Sequence, residues 1–432
     1  MISSFKRLWR DRRGNALAIA GAALPLVLGS AGLASDTIQW TLWKRQLQRA
    51  ADSAAMAGVY AIASDKAVGN CSNIAGSNYT NPVAYDLQKN YRVVGITPTC
   101  DVTNPPSVGG FTADPRAVRV SLSIQKRLAF SGLFLPSVPT ITATSTATIV
   151  PSGKYCVISL EKKAVTGITA TGSTSLNLGC GMITNSTSLS AAVATGSSLV
   201  TASPIAAVGG IPSSTHWGTG TVLQPFTVEQ EDPFEKVPIP PYNPSDCGDA
   251  PDAAKGATTD RSADTGVICF NKAFAPNGHV ILGKATYVLD GVALSLTNTG
   301  SQISCNECTI IFTSSSAATD PGSIKSPNVS GGLLNMVAPT DGPYKGIMMY
   351  QDRRAIADNS IKINGNNGSK MEGAFYFPRG DFTFQGNAGV DSKCLQIVTQ
   401  RVQFTGNSAI ENTCPSDSGG GAFDGQRIRL VE

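Results

Sequence analysis

Residues Gly14 to Ser35 carry no charge, and five basic side chains stand before them: Lys6, Arg7, Arg10, Arg12 and Arg13. Such a run has one backbone solution in a bilayer, because hydrocarbon offers no partner to an N–H or C=O and a single segment satisfies its own groups only as a helix. At about 1.5 Å per residue the run covers a hydrocarbon core of roughly 30 Å. Basic residues stay on the cytoplasmic side. The sequence therefore predicts one pass through the inner (cell) membrane, a cytoplasmic N-terminus, and the bulk of the chain in the periplasm or outside the cell. Trp9 on one flank and Trp40 and Trp43 on the other are expected to be interfacial anchors.

A cleaved secretory signal is the competing reading, since Gly32-Leu33-Ala34 has the small-x-small form of a cleavage site. Against it, the apolar run exceeds an ordinary signal core, and helical periodicity continues through the candidate cut.

The chain has 432 residues with 44 Gly and 25 Pro but only 15% charged side chains, a composition of many turns and few amphipathic helices. It predicts a mainly β exported protein. Beyond residue 13 the 29 positive and 29 negative side chains balance, so nucleic acid has no electrostatic footprint to bind. All ten cysteines follow the apolar run, as an exported disulfide set would. Sequence alone leaves connectivity open; the spacing suggests neighbour pairs, Cys71 with Cys100, Cys156 with Cys180, Cys247 with Cys269, Cys305 with Cys308, and Cys394 with Cys414. The Cys305-x-x-Cys308 pair has no second pair at metal spacing, which favours a cross-link over zinc or redox chemistry.

From Asp36 to Ala63 the residues Leu47, Ala51, Ala54, Gly58 and Ile62 recur every three or four positions, extending the helix out of the membrane with a small-residue face for close packing. That face serves either the chain's own sheet or a partner subunit. Residues 64–150 read as a short helix near 82–91 and strands at 117–126 and 140–150, where apolar and polar residues alternate. A long helix on a small antiparallel sheet, pilin-like in outline, is expected.

Past residue 150 the chain repeats. Ala170-Thr-Gly-Ser173 returns as Ala194-Thr-Gly-Ser197, and Ile363-Asn-Gly-Asn366, Phe384-Gln-Gly-Asn387 and Phe404-Thr-Gly-Asn407 follow one another. A strand closed by a Gly-Asn turn once every 20 or so residues is the pattern of a β-solenoid, here a right-handed parallel β-helix-like region; an antiparallel sandwich is the alternative. The Pro-rich, acidic stretch 225–251 reads as an extended connector rather than a packed element. The predicted organisation is thus a cytoplasmic basic segment (1–13), a transmembrane helix (14–35), a helix-plus-sheet domain (36–150), solenoid segments at 151–222 and 265–415 around a connector (223–264), and a tail (416–432).

Chemistry is sparse. His216 and His279 are the two histidines, neither beside a nucleophile motif, and no phosphate loop or zinc-protease motif occurs. Solenoids can cleave polysaccharides with clustered carboxylates and a basic residue, so Asp352, Arg353, Arg354, Asp358 and Asp381 are candidates for such a site, against the reading of a plain polar corner. The corner is favoured. No catalytic, cofactor-binding or metal-binding residue is assigned, and the protein is expected not to be an enzyme.

The run Asp11-Arg-Arg-Gly-Asn-Ala-Leu-Ala-Ile-Ala, with Ala23-Leu-Pro-Leu26, Gly32-Leu33, Asp36 and Gln46-Leu-Gln-Arg-Ala-Ala-Asp-Ser-Ala-Ala55, resembles the N-terminal region of TadE/TadG-like Flp (tight adherence) pilus assembly proteins. The segments 344–353 and 373–378 are similar to the C-terminal halves of longer TadG-like proteins. The resemblance implies a membrane-anchored structural part of an adhesive filament's assembly, with the lipid bilayer and other pilus-assembly proteins as partners. Ile19 stands where pilins of this kind place Glu, five residues after Gly14, and Asp260-Arg-Ser262-x-Asp264 departs from the von Willebrand metal motif found in many TadG-like proteins. The alternative is a secreted or surface-anchored β-helix protein that binds or acts on polysaccharide.

Overall fold

The computed structural model describes residues 15–72, 81–386, 391–406, 409–411 and 421–432. Lys6, Arg7, Trp9, Arg10, Arg12, Arg13 and Cys414, with residues 416–420 of the predicted tail, lie outside them; the rest of that tail carries a strand, Phe423–Leu430.

Asn15–Ala63 forms one helix, α1, through Pro25. Ser30 donates to the Val27 carbonyl, Thr37 to Leu33 and Thr41 to Thr37, so these hydroxyls find partners inside the helix. A second helix, α2, runs from Pro82 to Asn90. It starts there because the Asn81 side chain accepts the Ala84 N–H and Pro82 occupies a position that needs no donor.

The fold divides into two units, residues 1–150 with 428–432, and residues 151–427. In the first, strands β1 (Thr99–Thr103), β2 (Val118–Gln125) and the first half of β3 (Thr140–Ser159) pair antiparallel, Val102 opposite Val120 and Leu122 opposite Ala143. Alternation along β2 buries Val118, Val120, Leu122 and Ile124 together with the stripe on α1.

The second unit is a large sheet of parallel strands. One ladder runs, neighbour to neighbour, through Gly266–Phe270, Ala285–Asp290, Thr309–Thr313, Ile347–Gln351, residues 374–376, 397–399 and 157–159, Gly181–Thr184 and Ile205–Ala207 to Leu223–Gln224. Its strands read as unbroken apolar runs, such as Met348-Met349-Tyr350 and Phe375-Tyr376-Phe377, because both faces are covered.

A second ladder aligns Leu296, Val329, Ile363, Phe384, Phe404, Ala170 and Ala194, all buried. The two repeat families seen in the sequence are therefore one column, joined where Phe404 meets Ala170. Beside it, Gly172 and Gly196 hold φ of +75°, and a Cβ on Gly196 would sit 3.0 Å from the Gly172 carbonyl oxygen. Only glycine satisfies both demands.

The chain enters the main ladder in its middle, at residues 155–159, adds strands outward to Leu223–Gln224, and restarts at the opposite end near Gly248, which bridges to Phe270. From there it adds strands back toward the middle until residues 397–399 pair with 157–159. The described residues of the two predicted segments, 151–222 and 265–415, thus share one ladder and one apolar core.

The Pro-rich stretch makes the return journey and is packed, contrary to the sequence expectation. Phe234, Val237 and Ile239 lie against the core residues Tyr350 and Tyr376, and Tyr376 donates to Asp232, Tyr350 to the Val237 carbonyl and Tyr344 to the Pro238 carbonyl. Prolines cannot donate, so sheet side chains supply the donors and this segment's carbonyls accept them.

Candidate functional site

The two halves of α1 face different surroundings. Ile19, Leu24, Leu26, Val27 and Leu28 are all more than half exposed, Leu26 at 75%. Such a row of bare aliphatic side chains is too large a patch for water. The helix is long and apolar enough to cross a membrane, and it continues without interruption past Ser35.

Further along, Leu47, Ala51 and Ala54 are fully buried, Gly58 is buried and Ile62 half-buried, with Ala50, Ala55 and Val59 filling between them. Of the two uses the sequence allowed for this face, the structure shows the first: it covers the chain's own sheet. Gln48 donates to the Thr144 carbonyl at 2.9 Å and Lys44 to that of Thr142. Four helical residues advance about 6 Å and two strand residues about 6.6 Å, so helix and strand stay in step. Ser53 donates to Asp86 and Asn90 to Ser53, fixing α2 alongside.

A Cβ on Gly58 would lie 2.8 Å from Val118 Cγ1. Gly58→Leu is expected to lift the helix from β2 and to cost about 1–3 kcal/mol in chemical denaturation, the range for overpacked cores.

Trp43 corrects the sequence reading. It is only 8% exposed and sits in the helix–sheet core, with Trp40 partly buried against that core, so the Trp43 ring is not a free interfacial anchor. An aromatic ring next to a bilayer is equally suited to a sheet, and here the sheet reaches it first.

The acidic and basic candidates for catalysis separate into three places. Asp352 is buried and accepts from Thr313 and, bidentately, from Arg354. Arg353 donates to the Val237 carbonyl and the Tyr350 hydroxyl and lies over the Tyr376 ring, where it holds the Pro-rich segment. Asp358 and Asp381 converge on Arg401 with Glu161, which is 2% exposed. Sequence reasoning missed Glu161 and Arg401, because Glu161 lies some 240 positions from Arg401.

Burial pushes the Asp352 carboxyl up, but the hydrogen bonds from Arg354 and Thr313 outweigh it and hold the group below its ordinary 3.8. A lowered folded value stabilises the fold fully above 3.8 and progressively less as pH falls through it. Denaturation midpoints measured from neutral pH downward should fall in that acid window, and less steeply for Asp352→Asn.

Four of the neighbour disulfides are present: Cys71–Cys100, Cys156–Cys180, Cys247–Cys269 and Cys305–Cys308. Among the described residues, one group has metal-ligand proximity, Cys247, Cys269 and Asp290, and its two sulfurs are bonded to each other.

Residues 14–64 match a protein family described as putative Flp pilus-assembly TadE/G-like, a span that nearly coincides with α1. No curated protein and no solved structure matches the chain.

Proposed function

We propose that the protein is a single-pass, membrane-anchored, non-enzymatic structural component of Flp pilus assembly, TadG-like, projecting its two units on the far side of the inner membrane from a cytoplasmic N-terminus. The observation that carries this reading is the match over residues 14–64, which falls on a helix bare and apolar in its first half and locked to a sheet in its second. A signal cut near Ser35 would sever that helix in mid-run, which favours the uncleaved anchor. The first unit is then a pilin-like helix on an antiparallel sheet.

The second unit is a β-solenoid in this reading. Parallel registers that step one period at a time support it, as does the rule that parallel crossovers are right-handed. With Glu161, Asp358 and Asp381 all tied to Arg401, no carboxylate pair of the cluster is left to act as acid and base, which supports the structural role over glycan cleavage. Its partners are the bilayer and other pilus-assembly proteins.

Leu26→Arg places a charge amid the exposed aliphatic row at about 3 kcal/mol on insertion scales. Its expected result is full-length protein shifted from the membrane to the soluble fraction of pilus-assembling cells. Intact mass decides the rest: a soluble wild-type species shortened to begin near Ser35 would sink the anchor, and one beginning at Asn15 in sheared filaments would make it a processed subunit instead.

A further inference from the structure

The segment 128–135 leaves apolar side chains in the open: Leu133 is 78% exposed, Phe134 66%, Phe130 40% and Leu135 39%. Leu133 and Phe134 stay largely uncovered by the described residues of the first unit, yet the segment is held in place. The Phe130 ring fills the space beside Gly32, where no Cβ would fit, and Asp36, 6% exposed, accepts the backbone N–H groups of Ser131 and Phe130.

The level along α1 at which this clamp sits identifies what lies opposite. From Asn15 to Gly32 the helix rises about 26 Å and to Asp36 about 32 Å, against roughly 30 Å for a hydrocarbon core. Gly32 and Asp36 therefore mark the boundary where hydrocarbon gives way to headgroups, on the side of the folded units. Leu33 and Ile38 are exposed on the helix at the same level, as lipid-facing side chains of the anchor would be. Lys126 and Arg127, both exposed, flank it as headgroup-seeking cations would.

We infer that residues 128–135 form a second membrane contact, with Phe130, Leu133, Phe134 and Leu135 dipping into the interfacial layer of the leaflet where α1 emerges, so that the first unit is held at a fixed height and tilt. This rests on α1 being a membrane anchor. Burial at the headgroup–acyl boundary is the usual fate of a short apolar segment flanked by basic residues. A charge at Asp36 is tolerated there because two backbone donors already satisfy it.

The test uses full-length protein in nanodiscs of phosphatidylcholine and phosphatidylglycerol, with a benzophenone-bearing phenylalanine in place of Phe134, of Val27 or of Val94. Val94 is 90% exposed and follows α2, which bonds Ser53, roughly 25 Å beyond Asp36 along the helix. After irradiation, lipid adducts read by mass are expected at positions 27 and 134 and not at 94. Adducts at 27 without 134, or equally at 94, overturn the second contact and leave the anchor standing. No adduct at 27 takes down the anchor reading and this one with it. Gly32→Leu, which occupies the space of the Phe130 ring, is expected to lower the adduct at 134 several-fold while sparing that at 27; an unchanged adduct at 134 overturns the clamp.

Discussion

Arg401→Met should destabilise the second unit by about 3–5 kcal/mol, the cost of removing one partner from a buried ion pair. Arg401 reaches Glu161 at 3.1 Å and Asp358 at 2.8 Å, and it also pairs with Asp381. Glu161 is 2% exposed, and without the guanidinium it keeps only the Gln400 amide and the Lys163 N–H. An isolated buried carboxylate is far costlier than an unpaired surface one. The cluster also sits at the seam where residues 397–399 and 402–404 meet 157–159 and 168–170. Urea denaturation of the full-length protein in detergent, following the transition of the second unit, measures the loss. Adding Glu161→Gln should restore part of it, because a neutral amide needs no counter-charge. A loss within the about 1 kcal/mol typical of exposed pairs would show that the cluster is surface decoration.

Phe384→Ala should cost a similar amount, about 3–5 kcal/mol, through the cavity it leaves. Its ring is fully buried in the column between Ile363 and Phe404, with the Phe382 and Phe404 centroids each 6.5 Å away. Stacked parallel strands share each side chain's packing with the strand on either side, so a hole in one layer weakens both neighbours. Phe384→Leu refills most of the volume and should recover most of the stability, whereas Phe384→Ala and Phe384→Leu behaving alike would mean that the column collapses freely around the site. The same experiment on Leu133, exposed on the first unit, should leave denaturation unchanged.

Features that depend on nearby residues are legible in the sequence alone. The length of α1 follows from an uncharged run that joins a three-and-four-residue stripe with no breaker except Pro25, and the helix covers Asn15–Ala63. The bonds Cys156–Cys180 and Cys247–Cys269 span 24 and 22 residues, close to the repeat interval, because they cross-link strands one period apart. The Gly172 and Gly196 corners follow from a local need for positive φ.

What the sequence could not contain is the order in which its periods stack. A period states that each strand resembles the next, and a parallel ladder accepts any strand of the right face as its neighbour. Only the assembled sheet decides that Phe404 lies beside Ala170 and that the late strands pair with the place where the ladder began. That order in turn forces the 225–251 stretch to travel back along the sheet. Its apolar residues Phe234, Val237 and Ile239, unremarkable among prolines, then become a cover for Tyr350 and Tyr376. The fates of Trp43 and of Glu161 were settled the same way, by elements distant in sequence that burial brought together: a tryptophan or a carboxylate is defined by its surroundings, and those exist only once the chain has folded.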